Sequence, residues 1–323
     1  MPARPRPATT SALLLLALCT CTRAPGPVAV AVGVTDAAAH PLLRDFTSDT
    51  GAAVDARAAG DADADVLWQR DPELVLQLAA RGALATLPGD STYGRPASMV
   101  DPHRQWIAAS AVARALLYDP QRVAEADAPT RISQLSRPEL GRQLVLADPA
   151  HGSAAWHAAA LFTALGQSEA LEFYQALLAS GALMVDDEDA VLAAVIDGKR
   201  PLALLDSDRA FAAQESRPQL VTVLPDQDAE GAGAFVLPAV VALTARGAAN
   251  PTSQAFVDFL LSAAVTRRLA LTTNAILPLN DPAEVPAGLL AIRSLRVMPV
   301  SYADLAARLP AVREALARLR APT

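Results

Sequence analysis

The segment that most constrains the fold is Leu144–Ala155, where an apolar run passes through a short turn into a long apolar-periodic stretch. The run predicts a buried strand, and the stretch from Ala154 to Leu165 predicts a helix, with Gly152 and Ser153 in the turn between them. A helix that begins at the carboxyl end of a strand presents unpaired backbone N–H groups, which favour anions. Ser153 also suits a simple helix cap, and the segment alone leaves both roles open.

The rest of the chain alternates in the same way, which predicts an α/β fold with a mainly parallel sheet. Predicted strands cover 27–34, 54–57, 65–68, 106–118, 141–147, 201–206, 219–224 and 234–243. Predicted helices cover 40–51, 72–81, 154–165, 168–180, 189–197, 253–261, 263–271 and 302–320. A chain of 323 residues that is 52% hydrophobic is long enough for two lobes, each with its own core.

The charge balance excludes one class of partner. The formal net charge is −7, and no basic patch or arginine-rich tail is present. Because nucleic-acid binding depends on clustered positive charge, no nucleic acid is expected as a partner. Any anion site in such an acidic chain must therefore be local.

The amino terminus indicates export. Arg4 and Arg6 precede the short apolar run Ser11–Leu18, which is the pattern of a signal peptide. Cys19 and Cys21 follow, and the small residue before Cys21 favours it as the lipidated residue of a bacterial lipoprotein; an ordinary signal peptide is the alternative. We therefore expect 1–20 to be a signal peptide, 21–26 a tether, and the mature protein to be exported and lipid-anchored to a membrane.

Several segments, in order, resemble the ferric-iron-type branch of bacterial extracellular solute-binding proteins, the binding subunits of ABC importers. The segments are Ala64–Trp68, Ala113–Tyr118, Leu146–Pro149 with Gly152 and Ser153, Leu204–Asp208, Leu224–Gln227, Phe256–Ser262 and Arg296–Val300. The resemblance implies a two-lobed, type II periplasmic-binding-protein fold. It also implies a monomer that delivers a small, anionic ligand or a chelated metal to a membrane permease.

The resemblance also implies where the lobes divide. Lobe 1 is expected to comprise 27–108 and 237–283, and lobe 2 to comprise 109–236 and 284–323, with each sheet mixed, mainly parallel and flanked by helices. The segment 54–65 is short for the family, as if one helix of lobe 1 were missing. That difference removes part of one wall of the expected cleft.

The tyrosines depart from the iron-binding pattern. Iron-binding members use neighbouring tyrosines in the region that matches 204–224, which contains no tyrosine here. The four tyrosines, Tyr93, Tyr118, Tyr174 and Tyr302, are far apart in sequence. Chelation of bare ferric ion is therefore not expected, and no protein metal site or cofactor is predicted.

The candidate anion site comprises Gly152, Ser153 and Ala154, since the family commonly places a ligand oxyanion at this turn. Arg114 lies within a predicted apolar strand and needs a partner there. That partner is either a structural acid such as Asp206 or an anion in the cleft.

Three further side chains are candidates for the same cleft. Asp206 and Asp208 are two residues apart after a strand, so they either bind a cation together or act as caps and solvated loop acids. Trp68, like Trp106, either lines the cleft or belongs to the core. The acidic run Asp186–Asp189 lacks the spacing of a calcium loop and is typical of a helix amino terminus.

Catalytic patterns are missing from the sequence, which contains no HExxH, GxSxG or P-loop motif. His151 and His157 are six residues apart and fall on different faces of a helix. The protein is therefore not expected to be an enzyme. The alternatives to an importer subunit are a sensor or adaptor with the same fold and, ranked below both, a hydrolase.

Overall fold

The sheet is the central layer of the protein. The structure is a computed structural model that describes residues 26–87, 92–271, 276–279 and 292–320. The strands are β1 (Val28–Gly33), β2 (Val54–Arg57), β3 (Val66–Gln69), β4 (Leu84–Ala85), β5 (Ile107–Tyr118), β6 (Leu144–Ala147), β7 (Leu183–Val185), β8 (Leu202–Asp206), β9 (Val221–Val223) and β10 (Val236–Thr244). Their order is β2-β1-β3-β10-β5-β8-β6-β7, with β4 beside β10 and β9 beside β5.

The long strand β5 joins two halves of the sheet. Its first part, up to Ala113, pairs antiparallel with β10, whereas Arg114–Tyr118 pair antiparallel with β8. Parallel pairs lie on both sides: β1 with β2 and β3, and β6 with β7 and β8. We call β1–β4 and β10 with their helices the first half, and β6–β9 with theirs the second half. The predicted α/β class with mixed sheets flanked by helices is confirmed, although among the described strands four pairings are parallel and five are antiparallel.

The helices flank this sheet. They are α1 (Asp36–Thr50), α2 (Glu73–Ala80), α3 (Pro138–Gly141), α4 (Gly152–Leu165), α5 (Gln167–Ala179), α6 (Glu188–Ile196), α7 (Ser207–Ser216), α8 (Ala245–Ala248), α9 (Pro251–Leu261), α10 (Ala263–Leu271) and α11 (Tyr302–Arg320). Helix α11 packs mainly against α4 and also against α2. None of the described helices has the length and apolar character needed to cross a membrane.

Each predicted element is observed with shifted ends, whereas β4, β7, α3, α7 and α8 were not predicted. The strand expected from residue 141 begins at Leu144, because Pro138 opens the short helix α3, in which proline suits the first turn. Helix α1 begins four residues before the predicted start at 40 and ends before Gly51, whose φ of 71° permits the left-handed cap. Cys19 and Cys21 lie outside the described residues, so the lipidation stays a prediction.

One apolar cluster lies in the first half and a second in the second half, each with part of β5, and a third includes residues of both halves. In the first half, Phe46 and Phe256 meet edge to face with ring centroids 5.0 Å apart. In the second half, α4 is buried along most of its length, and its alanines pack into the core together with Trp156 and Phe162. The carboxyl ends of β1, β3, β6 and β8 point towards one cleft between the halves.

Candidate functional site

The cleft between the two halves has a volume of about 310 Å³, which is within the range of small-molecule sites. It is lined from the first half by the strand ends and the residues that follow them, and from the second half by the starts of three helices. The lining residues are Gly33, Arg70, Asp71, Gly152, Ser153, Asp187, Glu188, Asp189, Asp206, Arg209 and Leu237. The segment that the sequence predicted as an anion turn therefore opens into this cleft.

The amino terminus of α4 leaves backbone donors free. The helix begins at Gly152, which has a φ of 53°, and His151 precedes it in extended conformation. Within the described residues, no acceptor takes the N–H groups of Gly152, Ser153 or Ala154, whereas the Ala155 N–H donates to His151 O at 3.0 Å. Ser153 lies inside the helix and makes no capping hydrogen bond, so of the two roles left open for it the structure does not show the cap.

Arg114 is buried beneath this terminus and donates hydrogen bonds to several acceptors. Its Nη1 donates to Asp206 Oδ1 at 2.8 Å, to Glu188 Oε1 at 2.6 Å and to Ser153 Oγ at 3.2 Å. Its Nη2 donates to Leu204 O at 3.0 Å. Because Arg114 lies directly opposite Asp206 in the β5–β8 register, the ion pair follows from strand pairing. Of the two roles open to Arg114, the structure shows the structural pair with Asp206.

Burial and ion pairing shift the pKa values of Glu188 and Asp206 in opposite directions. Burial raises the pKa of Glu188 above its ordinary value, since the attraction of Arg114 only partly offsets the loss of water. Burial acts in the same direction on Asp206, but Arg114 and Arg70 outweigh it and hold the pKa of Asp206 below its ordinary value. The network therefore favours the ionised form of Asp206.

Arg70 reaches the same acids from the first half. It follows β3, and its Nη2 donates to Asp206 Oδ2 at 2.9 Å while its Nη1 donates to Asp208 Oδ2 at 2.8 Å. The side chains of Asp206 and Asp208 are only 2% and 3% exposed, so the expectation of solvated loop acids is wrong. They do face the same way, as their spacing predicted, but the cation that they bind is Arg70 of the same chain.

Trp68 belongs to the core and is not among the residues that line the cleft. It is fully buried in β3 and lines an inner cavity of about 20 Å³, space for about one water, beside Arg70 and Asp208. Its indole N–H has no hydrogen-bond partner in the described part of the chain. Trp106, in contrast, packs against Tyr302 with ring centroids 6.3 Å apart and is not among the residues that line either cavity.

The cleft carries a surplus of negative charge. Five carboxylates line it, against the guanidinium groups of Arg70 and Arg209. Arg209 is paired with Asp189 at 3.0 Å, and Asp187 caps α6 by accepting from the Ala190 N–H at 2.8 Å. The acidic run before α6 thus forms a charged helix terminus, as its sequence indicated.

The tyrosines lie elsewhere in the structure. None of the four lines the cleft, and burial raises the pKa values of Tyr118, Tyr174 and Tyr302. Burial and the hydrogen bond to Asp258 raise the pKa of Tyr93 to about 12. Among the described residues, no group of three or more histidines, cysteines and acids is arranged to hold a metal ion.

Sequence analysis missed Arg70 and Glu188 as members of the site. Glu188 was assigned only to a helix terminus, although its Oε2 also accepts from the Asp206 N–H at 2.9 Å. The signal for Arg70 is its position directly after the buried strand β3, which is the place where α/β proteins put functional side chains.

Comparisons with known proteins agree on the fold. Residues 64–298 match the family model of bacterial extracellular solute-binding proteins. Iron-bound HitA from Pseudomonas aeruginosa is 22% identical with a TM-score of 0.78, and the match covers 90% of this chain and 99% of HitA. The apo ferric ion-binding protein A of Pasteurella haemolytica is 17% identical with a TM-score of 0.79, and the match covers 91% of this chain and 98% of that protein.

A third solved structure, AfuA from Actinobacillus pleuropneumoniae with fructose-6-phosphate bound, is 15% identical with a TM-score of 0.71; the match covers 91% of this chain and 96% of AfuA. No curated relative matches the chain. The family model covers well over half of the sequence, and the solved structures share the type II periplasmic-binding-protein fold. The chain therefore belongs to the bacterial extracellular solute-binding proteins.

Proposed function

We propose that this protein is the extracytoplasmic binding subunit of an ABC importer, and that it carries a small solute in the cleft to a membrane permease. The observation that carries the proposal is the set of three free N–H groups at the start of α4, which opens into a cleft built from both halves. A solute that contacts both halves stabilises their closed arrangement. The change of pairing partner along β5 supports the division into the two lobes predicted from the sequence.

The proposal includes a lipid-anchored monomer without catalytic activity. Among the described residues that line the cleft, the acids are largely ion-paired or engaged in capping, which does not favour the free acid–base pair that a hydrolase requires. A sensor or adaptor with the same fold would bind solute in the same cleft but would signal to a membrane partner without transport.

The cleft favours a solute with charges of both signs. Its anionic group would accept from the amides of Gly152, Ser153 and Ala154, where the helix dipole is positive. The surplus of carboxylates around that point favours an accompanying positive charge. A cation delivered with an organic-acid chelator, or a zwitterionic acid, meets both conditions. HitA, whose structure is iron-bound, and AfuA, with its sugar phosphate, show ligands in proteins of this fold.

A thermal-shift screen of such solutes is expected to identify a stabilising ligand. The screen compares phosphonates, organic acids, zwitterionic acids and ferric chelates with the same protein in buffer. A solute at one hundred times its Kd should stabilise the folded protein by about 2.7 kcal/mol and raise its Tm accordingly. If every class leaves the Tm unchanged, the protein does not bind such solutes and the proposal fails.

Replacing Ser153 with proline tests the position of the solute anion. Proline is tolerated in the first turn of a helix, so Ser153→Pro removes one free N–H and one hydroxyl while preserving α4. Loss of a hydrogen bond to a charged group should weaken binding of the solute found in the screen by roughly 10- to 100-fold. Titration calorimetry measures the change.

Ser168→Pro is the matched control because Ser168 is also the second residue of its helix, α5, but is exposed and is not among the residues that line the cleft. We expect it to leave the affinity unchanged. Equal affinities for Ser153→Pro and the parent protein would show that the anion does not lie at α4.

A further inference from the structure

The turn between β3 and α2 is held by the second half of the protein through consecutive side chains. Arg70 binds Asp206 and Asp208, as described above. The indole Nε1 of Trp156, on α4, donates to Asp71 Oδ1 at 3.0 Å. Each of these contacts joins the first half directly to the second.

A third contact to the same segment comes from Arg313 on α11. Arg313 forms a two-point ion pair with Glu73, with Nη1–Oε1 at 3.1 Å and Nη2–Oε2 at 2.7 Å. Its Nε donates to Ala150 O at 3.0 Å, in the turn before α4. Arg313 therefore ties the start of α2 to the entrance of the second half.

Burial makes these contacts stronger than ordinary surface ion pairs. The side chains of Asp206 and Asp208 are almost completely buried, and Arg70 is 27% exposed. Charges at such sites are poorly screened by water, and the two-point geometry of a guanidinium on carboxylates adds directional strength. If the halves moved apart, Asp208 would lose the one side-chain ion-pair partner that the structure gives it.

We propose that segment 70–73 is a clasp that holds the two halves closed before any solute arrives. Arg70 lies in the wall shared by the outer cleft and the inner cavity beside Trp68, so its guanidinium also fills space between them. The proposal relies on the proposed function only in treating the halves as bodies that move. Closure is then built into the chain, and a solute must compete with the clasp to enter.

The clasp has a consequence for the rate at which solute enters. A solute that enters only through the open form meets fewer competent molecules, in proportion to the fraction that is open. Loosening the clasp without touching the α4 terminus should therefore speed solute entry.

The test measures the distance between the halves without solute. Spin labels are placed at Ala37→Cys and Ala193→Cys, both exposed sites on opposite halves, in a chain with Cys19→Ser and Cys21→Ser so that no other thiol is present. We expect one narrow distance distribution in this parent. Arg70→Met combined with Asp208→Asn, which avoids an unpaired buried acid, should shift the distribution to longer and broader distances.

A second variant tests the clasp without changing a buried acid, so a folding defect at Asp206 or Asp208 cannot explain its result. Arg313→Met releases Glu73, which is partly exposed, and should shift the distribution in the same direction. Arg209→Met is the matched control because its ion pair with Asp189 lies within the second half. It should leave the distances unchanged.

Two results would overturn the clasp. One is a long, broad distribution in the solute-free parent, and the other is a parent-like distribution in both the Arg70→Met/Asp208→Asn and Arg313→Met proteins. Neither result bears on whether a solute binds, because the thermal-shift screen reports solute binding separately. Failure of the clasp and failure of the proposed function are therefore distinguishable.

Discussion

Arg114→Met is expected to lower the free energy of unfolding by about 3–5 kcal/mol, the usual loss when one member of a buried ion pair is removed. Methionine fills much of the space of the arginine stem, so the main loss is electrostatic. Asp206 would keep Arg70, but Glu188 would lose its guanidinium and Leu204 O would lose a donor. Urea denaturation at neutral pH measures the change.

Arg209→Met gives the comparison for this result. Arg209 lies in the same cleft, but its partner Asp189 has a side chain that is 73% exposed, so the pair is worth about 0–1 kcal/mol. The triple variant Arg114→Met, Asp206→Asn, Glu188→Gln should recover part of the loss, because no buried charge is left unpaired. If Arg114→Met and Arg209→Met cost the same, the buried network does not stabilise the fold.

The order of strands and helices could be predicted from the sequence because it depends on local pattern. Leu144–Ala147 is a short apolar run and α4 an apolar-periodic one, so both could be assigned before the structure. The pairing of Arg114 with Asp206 was also within reach, since an arginine inside an apolar strand requires a nearby acid. Strand register then places the two residues opposite each other.

The contacts between the halves could not be predicted in this way. Arg70 and Asp208 are 138 residues apart, and no periodicity relates a turn after β3 to the start of α7. The burial of Asp206 and Asp208 depends on that distant arginine, which is why a local interpretation expected solvated acids. Helix α4 begins at Gly152, two residues before the predicted start at Ala154, so Ser153 lies inside the helix and not at the cap position that the sequence left open for it.

His157 is expected to make the protein less stable as the pH falls from 7 to 4. It lies on α4, is 2% exposed, and its ring centroid is 5.7 Å from that of Phe235. Burial lowers its pKa to about 3, Arg114 adds to the effect, and Asp206 opposes it only in part. In the unfolded chain the imidazole has its ordinary pKa of about 6.5.

The sign follows from the proton count in the two states. Between pH 6.5 and about 3 the unfolded chain binds a proton at His157 that the folded protein does not, so unfolding becomes easier as the pH falls. The slope approaches 1.4 kcal/mol per pH unit, which amounts to about 3 kcal/mol from pH 7 to pH 4.

His157→Phe keeps a buried ring and removes the titration. The stability difference between parent and variant, measured by urea denaturation at pH 7, 6, 5 and 4, should therefore shift by about 3 kcal/mol in favour of the variant. His103→Phe makes the same substitution at an exposed histidine and is the control for introducing a phenylalanine. Parallel pH profiles for the parent and His157→Phe would mean that His157 accepts a proton in the folded protein. Arg114 would then have a second cation beside it, and burial would not keep His157 neutral.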